Sequence, residues 1–284
     1  MANSVNTNRG ALIALQNLNA TNRSLEMTQN RVNTGMKVSS AKDNGAIFAI
    51  ATSQRAEMGA QDAVKQSIER GKSIVDVALA AGETVVEALT ELKSLAVAIQ
   101  DSVAGSSSET KLINDFEAIV KEIHTSLAGA TFDGVNAFKT GTQIDVTINT
   151  AATGNKFTIK ASADAAAADG LAFTGTANSA TGAWAAPAAA GKRAAYEPAD
   201  VEAAINSFTT VLADLGTKSK SLDRQLTFVS KLQDSLETGI GNLVDADLAK
   251  ESARLTALQT KQQLGVQALG IANQASSIVL NLFR

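Results

Sequence analysis

The sequence predicts a mainly α protein: a long antiparallel helical hairpin or bundle with paired terminal helices and a small β-rich, loop-rich insertion. Three observations predict it. Proline occurs only as Pro187 and Pro198, so residues 1–186 and 199–284 lack the residue that breaks helices. Apolar residues recur at heptad spacing along both of those stretches. Between them lie two short runs in which apolar and polar residues alternate with period two, the mark of strands.

The first helix is expected from Asn3 to Gly35. Ala11, Leu18, Leu25 and Val32 fall seven apart, with Leu15 and Met36 on the adjoining stripe, which makes one apolar seam. Gly35 and the Ser39-Ser40 pair weaken a helix, so residues 33–44 read as an irregular connector.

The second helix is expected from Ala46 to Val103, with Gly59 its weakest point. Ile68, Val75, Leu89, Ala96 and Val103 keep one heptad register, Gly82 fills the same seam, and Ala78, Val85, Leu92 and Ile99 form its companion. At 1.5 Å per residue, residues 60–103 would span roughly 65 Å, which suits a rod. Gly105 and the Ser106-Ser107-Ser108 cluster end it, and Ser108 is the expected cap of a shorter helix from Glu109 to Leu127.

Residues 143–149 and Lys156-Phe157-Thr158-Ile159-Lys160 alternate in polarity about Ala151-Ala152-Thr153-Gly154-Asn155, a hairpin signal. From Ala161 to Ala195 the composition of Ala, Gly, Ser, Thr and Asp reads as a loop-rich, exposed insertion.

The fourth helix carries the strongest pattern. Val201, Phe208, Leu215, Leu222, Val229 and Leu236 are all seven apart, and Ile205, Leu212, Leu226 and Ile240 line the next stripe. Gly239 and Gly241 are expected to interrupt it. A terminal helix then runs from Ala246 to Leu282, with Leu264, Ile271 and Ile278 in one row and Ala268, Ala275 and Leu282 in the other. The expected domains are residues 1–44 with 243–284, residues 45–140 with 198–242, and the insertion 141–197. Rod packing is assigned to Val75, Val85, Leu89, Leu92 and Ile99 against Phe208, Leu215, Leu222, Val229 and Leu236.

Composition narrows function. The net charge of −3 offers no basic bulk for nucleic acid or anionic membrane. Absence of Cys removes thiolate chemistry and disulfides, and fits a chain exported unfolded. No secretory signal and no membrane-length apolar run is visible. Residues 262–283 contain no charged side chain, yet they include Gln262, Gln263, Gln267, Asn273, Gln274 and Asn281. A solvated helix would carry charge on its outer face, and a membrane span would not carry so many amides. Burial against other helices on several sides is the remaining option, which points to assembly. The polymer-contact residues are expected to be Ala11, Leu15, Leu18, Leu25 and Val32 on the first helix and Leu264, Ala268, Ile271, Ala275, Ile278 and Leu282 on the last.

Particular segments carry a resemblance. Residues 31–44, Arg31-Val32-Asn33-Thr34-Gly35-Met36-Lys37-Val38-Ser39-Ser40-Ala41-Lys42-Asp43-Asn44, are similar to a motif near the N-terminus of bacterial flagellins. Ser94-Leu95-Ala96-Val97, Phe132-Asp133-Gly134-Val135, Asp245-Ala246-Asp247, and Ala272-Asn273-Gln274 with the ending Leu280-Asn281-Leu282-Phe283-Arg284 resemble further flagellin motifs in order. The resemblance covers residues 1–140 and 198–284. It implies an extracellular filament subunit that swimming bacteria export unfolded through the flagellar type III secretion system. It also implies polymerisation with copies of itself, paired terminal helices lining an inner tube, and a variable segment facing solvent. The implied partners are a flagellar cap, hook–filament junction proteins and an export chaperone; no cofactor, nucleic acid or membrane insertion is implied. An innate immune receptor reads flagellins near the Leu-Ala-Val motif, where recognised forms have an Arg and a Glu; Glu91 and Ser94 stand there and imply weak or absent signalling. The alternatives are a hook–filament junction protein and a secreted helical adhesin or effector.

No enzyme chemistry emerges. His124 sits on a short amphipathic helix and reads as a structural histidine. Asp245-Ala246-Asp247 reads as helix capping rather than a cation site. The sequons at Asn19 and Asn22 lie on a helix expected to be buried in the polymer, and read as chance. Thr174, Thr176, Ser179, Thr181 and Ser106 to Ser108 read as solvated loop residues, with O-linked sugars the less favoured alternative. No phosphate loop, dinucleotide fingerprint or nucleophile elbow is present.

Overall fold

A computed structural model describes residues 8–138, 143–151, 154–160, 171, 173, 175–178, 183–187 and 192–282, with only the backbone at 143, 160, 176–178, 183 and 275–282. It divides into two units, Met1–Met58 with Asp234–Arg284, and Gly59–Gln233. The helices are α1 (Arg9–Thr34), α2 (Gly45–Asp101), α3 (Ser107–Gly129), α4 (Lys192–Ala195), α5 (Pro198–Val244) and α6 (Leu248–Leu282). The strands are β1 (Thr131–Phe132), β2 (Val135–Asn136), β3 (Gln143–Thr147), β4 (Lys156–Lys160), β5 (Thr176–Asn178) and β6 (Ala183–Ala185), in three antiparallel hairpins.

The unit of residues 59–233 is built on the α2 seam. Val64, Ile68, Gly71, Val75, Ala78, Gly82, Val85, Leu89, Leu92, Ala96 and Ile99 are all buried. Their spacing alternates three and four throughout, the coiled-coil pattern. All but the two glycines join Phe116, Val120, Ile123 and Leu127 of α3 and Val201, Ala204, Phe208, Leu215, Leu222 and Val229 of α5 in one core cluster. Polar ties keep α2 and α5 antiparallel and in step. Asp62 accepts from Gln233 at 2.7 Å, Lys72 meets Asp223 at 2.5 Å, Asp76 accepts from Ser219 at 3.4 Å, and Lys93 meets Glu202 at 3.2 Å. Each step up α2 matches an equal step down α5, so the seam does not drift.

Two seam glycines admit neighbours that a side chain would exclude. A Cβ at Gly82 would overlap Leu212 of α5, and one at Gly71 would overlap Val146 of β3. The β3–β4 hairpin therefore seats on α2, and Ser67 Oγ accepts from Thr147 N at 2.9 Å.

The unit holding both terminal helices has a smaller core of Val38, Ala51, Ile240 and Val244. Gly35 closes α1 in the left-handed region at φ 71°, which glycine adopts without strain. The connector after it lies against residues 244–246: Lys37 N donates to Val244 O at 2.7 Å, and Ala246 N to Gly35 O at 2.8 Å.

Several elements differ from expectation. α2 is continuous through Gly59 and ends at Asp101, so Val103 lies beyond it and is 77% exposed. Ser106, not Ser108, caps α3: its Oγ accepts from Glu109 N at 3.1 Å, and Glu109 Oε2 accepts from Gly105 N at 2.5 Å. Gly239 and Gly241 do not interrupt α5, which runs to Val244. Burial of Ile240 and Val244 offsets the roughly 1 kcal/mol that each glycine costs a helix. Phe132-Asp133-Gly134-Val135 forms the β1–β2 hairpin, which alternation did not mark, with Asp133 at φ 51° and Gly134 at φ 73°, as a tight primed turn requires. The expected loop-rich insertion contains the β5–β6 hairpin and α4; its residues 161–170, 172, 174, 179–182 and 188–191 lie outside the described residues.

Candidate functional site

The two terminal helices pair with each other. Asn8 caps α1, its Oδ1 accepting from Ala11 N at 3.0 Å. Asp247 caps α6 in the same way, accepting from Lys250 N at 3.1 Å. The covered face of α1 carries Ala11, Ala14, Leu18, Thr21, Leu25 and Thr28. The covered face of α6 carries Leu255, Leu258, Gln262, Gly265, Leu269 and Ala272. Both sets alternate threes and fours, so the pair is a small-residue heptad seam.

Polar ties join the helices. Asn8 Nδ2 donates to Ala272 O at 2.6 Å. Gln262 Nε2 donates to Asn22 Oδ1 at 2.8 Å. Arg31 Nη1 meets Glu251 Oε1 at 3.2 Å, where Glu251, 8% exposed, is the single buried residue of α6 among those described.

Charge is unevenly placed on this pair. α1 carries Arg9, Arg23, Glu26 and Arg31, and α6 carries Lys250, Glu251, Arg254 and Lys261. Residues 10–22 of α1 are therefore charge-free, and they lie opposite the charge-free 262–272 of α6. At this level Leu12, Ile13 and Leu15 of α1 and Leu264, Val266 and Ile271 of α6 are exposed, Leu264 to 59% and Ile271 to 69%. A groove of about 460 Å³ runs between them, walled by Ile13, Ala14, Leu18, Leu264 and Gly265, with Lys261 also lining it. Six large apolar side chains on one charge-free stretch, beside a groove that Lys261 also lines, form a surface built for apolar contact.

The residues assigned to polymer contact fall in two groups. Ala11, Leu18, Leu25 and Val32 are at least partly covered, whereas Leu15 is 43% exposed. Leu264, Ala268 and Ile271 are exposed in the single chain. The side chains of Ala275, Ile278 and Leu282 lie outside the described residues. The inner row of α6 begins instead at Leu255 and Leu258. Periodicity did not single it out, because apolar residues surround this helix on all sides. Among the rod residues, Val75, Val85, Leu89, Leu92, Ile99, Phe208, Leu215, Leu222 and Val229 are fully buried in one cluster, while Leu236 is half-buried in the other unit.

Titratable groups elsewhere serve structure. His124 is buried, with Nε2 3.0 Å from Leu171 O and its ring stacked 6.4 Å from Trp184. Tyr196 donates to Glu117 Oε1 at 3.0 Å, and burial, with that carboxylate beside it, holds its hydroxyl pKa well above the usual value. Asp43 Oδ2 accepts from the backbone N–H and the hydroxyl of both Ser40 and Ser39. These bonds, led by the Ser40 amide, hold its carboxyl below 3.8. Among the described residues no group of three or more His, Cys, Asp or Glu could hold a metal, and no helix is long and apolar enough to cross a membrane.

Known proteins match this sequence along nearly the whole chain. A family model described as the bacterial flagellin N-terminal helical region matches residues 5–143, and one for the C-terminal helical region matches residues 199–283. Flagellin FljM of Caulobacter vibrioides is 49% identical over 282 residues, covering 99% of both chains. Flagellin FljN of the same organism is 50% identical over 282 residues with the same coverage. A flagellin of Brucella melitensis is 39% identical over 296 residues, 99% of each chain.

Proposed function

This chain belongs to the bacterial flagellin family and is a structural, non-enzymatic subunit of the extracellular flagellar filament, and on that premise we propose that its paired terminal helices, α1 and α6, make the polymer contact. The observation that carries this reading is the exposed apolar belt of Leu12, Ile13, Leu15, Leu264, Val266 and Ile271 on a charge-free level of the pair. Burying it against further copies removes apolar surface from water without stripping the hydration of an ion. The neutral amides that share α6 can hydrogen-bond across copies at small desolvation cost.

The remaining assignments belong to the same reading. Residues 1–44 with 243–284 form the polymer core, 45–140 with 198–242 form the rod, and 141–197 are the solvent-facing variable segment. The filament serves swimming motility. Subunits leave the cell unfolded through the flagellar type III system, which the absence of Cys supports. A cap, hook–filament junction proteins and an export chaperone are the further partners. Glu91 and Ser94 weaken recognition by the innate receptor, and a reporter-cell assay reading full potency would contradict that.

Truncation tests the main reading. Chains lacking residues 1–30 or 255–284 are expected to keep the helical signal of the rod and to form no filaments on seeding. Filaments from either truncated chain at the full-length chain's critical concentration would overturn it.

A further inference from the structure

Packing alone protects the seam between α1 and α6 against slipping only in part. One heptad apart lie Ala14 and Thr21, Leu18 and Leu25, Thr21 and Thr28, and Gly265 and Ala272, so much of a slipped seam meets residues of like size, and the approach of Leu18 to Gly265 is the packing contact that a slip disturbs. The tie from Asn8 adds no protection, because it ends on a backbone carbonyl, which every residue offers. The Asn22–Gln262 bond does distinguish registers, but a slip costs it one neutral amide pair.

Arg31 and Glu251 are different. A one-heptad slip places Arg31 against Leu258, or Glu251 against Ser24, and leaves a charge in a covered position without its counter-charge, which is strongly unfavourable. The pair is also not arranged for maximal stability. Only one contact joins it, and Arg31 Nε and Glu251 Oε2 are buried without a hydrogen bond among the described residues. A largely covered ion pair with unused donor and acceptor capacity is weak evidence for stability, and the best-attested use of such pairs is to fix register.

The geometry points to Arg31 and Glu251 as the register key of the terminal-helix pair, which assembles the apolar belt that a second copy of this chain covers. The native register brings Leu12, Ile13 and Leu15 to the level of Leu264, Val266 and Ile271. A slip of one heptad in either direction, about 10 Å along the helix, separates the two halves of the belt. The inference rests on the proposed reading that this belt is the polymer contact.

The chain has no Cys, so engineered pairs report register against a clean background. A Cβ at Gly265 would lie 4.0 Å from Leu18 Cβ, within the range a disulfide spans. Three full-length chains carry Leu18→Cys with Gly265→Cys (native register), with Leu258→Cys, or with Ala272→Cys (the two slipped registers). Each is made in three backgrounds: wild type, Arg31→Glu, and Arg31→Glu with Glu251→Arg. Cross-link yield under mild oxidation and seeded polymerisation lag without the Cys pairs are both read. In the wild-type background the native pair is expected to dominate. Arg31→Glu is expected to reduce that preference, and to lengthen the lag, by at least about tenfold. The double swap restores both. Preference and lag unchanged in Arg31→Glu, or no recovery in the swap, would overturn the key. Wild-type chain that cross-links in native register yet never polymerises would leave the key standing and overturn the belt's role as polymer contact.

Discussion

Leu18 of α1 rests against Gly265 of α6, where a Cβ would come within 3.2 Å of the leucine's Cδ1. A helix pair this close depends on having no side chain at 265. Gly265→Val is therefore expected to push the helices apart and raise the critical concentration for assembly, while thermal unfolding of the rod stays unchanged because the residue lies in the other unit. Sedimentation at graded concentrations measures the first effect and calorimetry the second.

The rod has its own close approach. Gly82→Val would drive a branched side chain into Leu212 and is expected to cost about 1–3 kcal/mol, the usual penalty of overpacking. Urea unfolding followed by circular dichroism reads this, and an unchanged midpoint would contradict the packing described.

Capping of α3 separates adjacent serines. Ser106→Ala should destabilise by about 1 kcal/mol through loss of the bond to Glu109 N, whereas Ser108→Ala should leave stability within error. The three serines in a row have identical chemistry. The deciding signal was the Glu three residues after Ser106, the capping-box spacing that Ser108 lacks, with the Glu109 carboxylate here reaching back to Gly105 N.

That case shows where the sequence was legible. The seams of α2 and α5 could be read because large aliphatic residues hold one face while charged residues mark the other. Val103 was misplaced because apolar spacing continues for one step after the helix has ended at Asp101. Gly239 and Gly241 suggested a break that the buried Ile240 and Val244 override. The terminal pairing could be inferred from absence of charge, but the facing row of α6 could not: a helix apolar on every side has no preferred face until its partner is placed.

Tyr196 is the chain's single tyrosine, so its absorbance reports one site. Burial and the Glu117 bond raise its pKa in the folded state. Its stabilising contribution is fully present below the unfolded value of about 10 and is lost as pH rises above that toward the folded value. Absorbance at alkaline pH should therefore change together with unfolding and not before it, and Tyr196→Phe should flatten the loss of stability. Ionisation near the ordinary value in the folded chain would contradict the contact.

Asp43 works in the opposite direction. Its carboxyl is held below 3.8, so the connector bonds to Ser39 and Ser40 persist above the unfolded value and are lost as pH falls through the lower folded one. Hydrogen exchange of the Ser39 and Ser40 amides should accelerate in that acid window, and Asp43→Ala should make it fast at neutral pH as well. Slow exchange in the variant would show that the connector does not need the carboxylate.

The belt itself provides the most direct test. Purified chain carrying Leu264→Asp and Ile271→Asp would be seeded beside wild type, and polymer mass measured by sedimentation with electron microscopy of the pellet. Both positions are exposed in the single chain, so the variant should retain the wild-type circular dichroism spectrum and unfolding midpoint. The account predicts that it forms no filaments at concentrations where wild type polymerises fully. Filaments of normal width and yield from the doubly charged chain would contradict it.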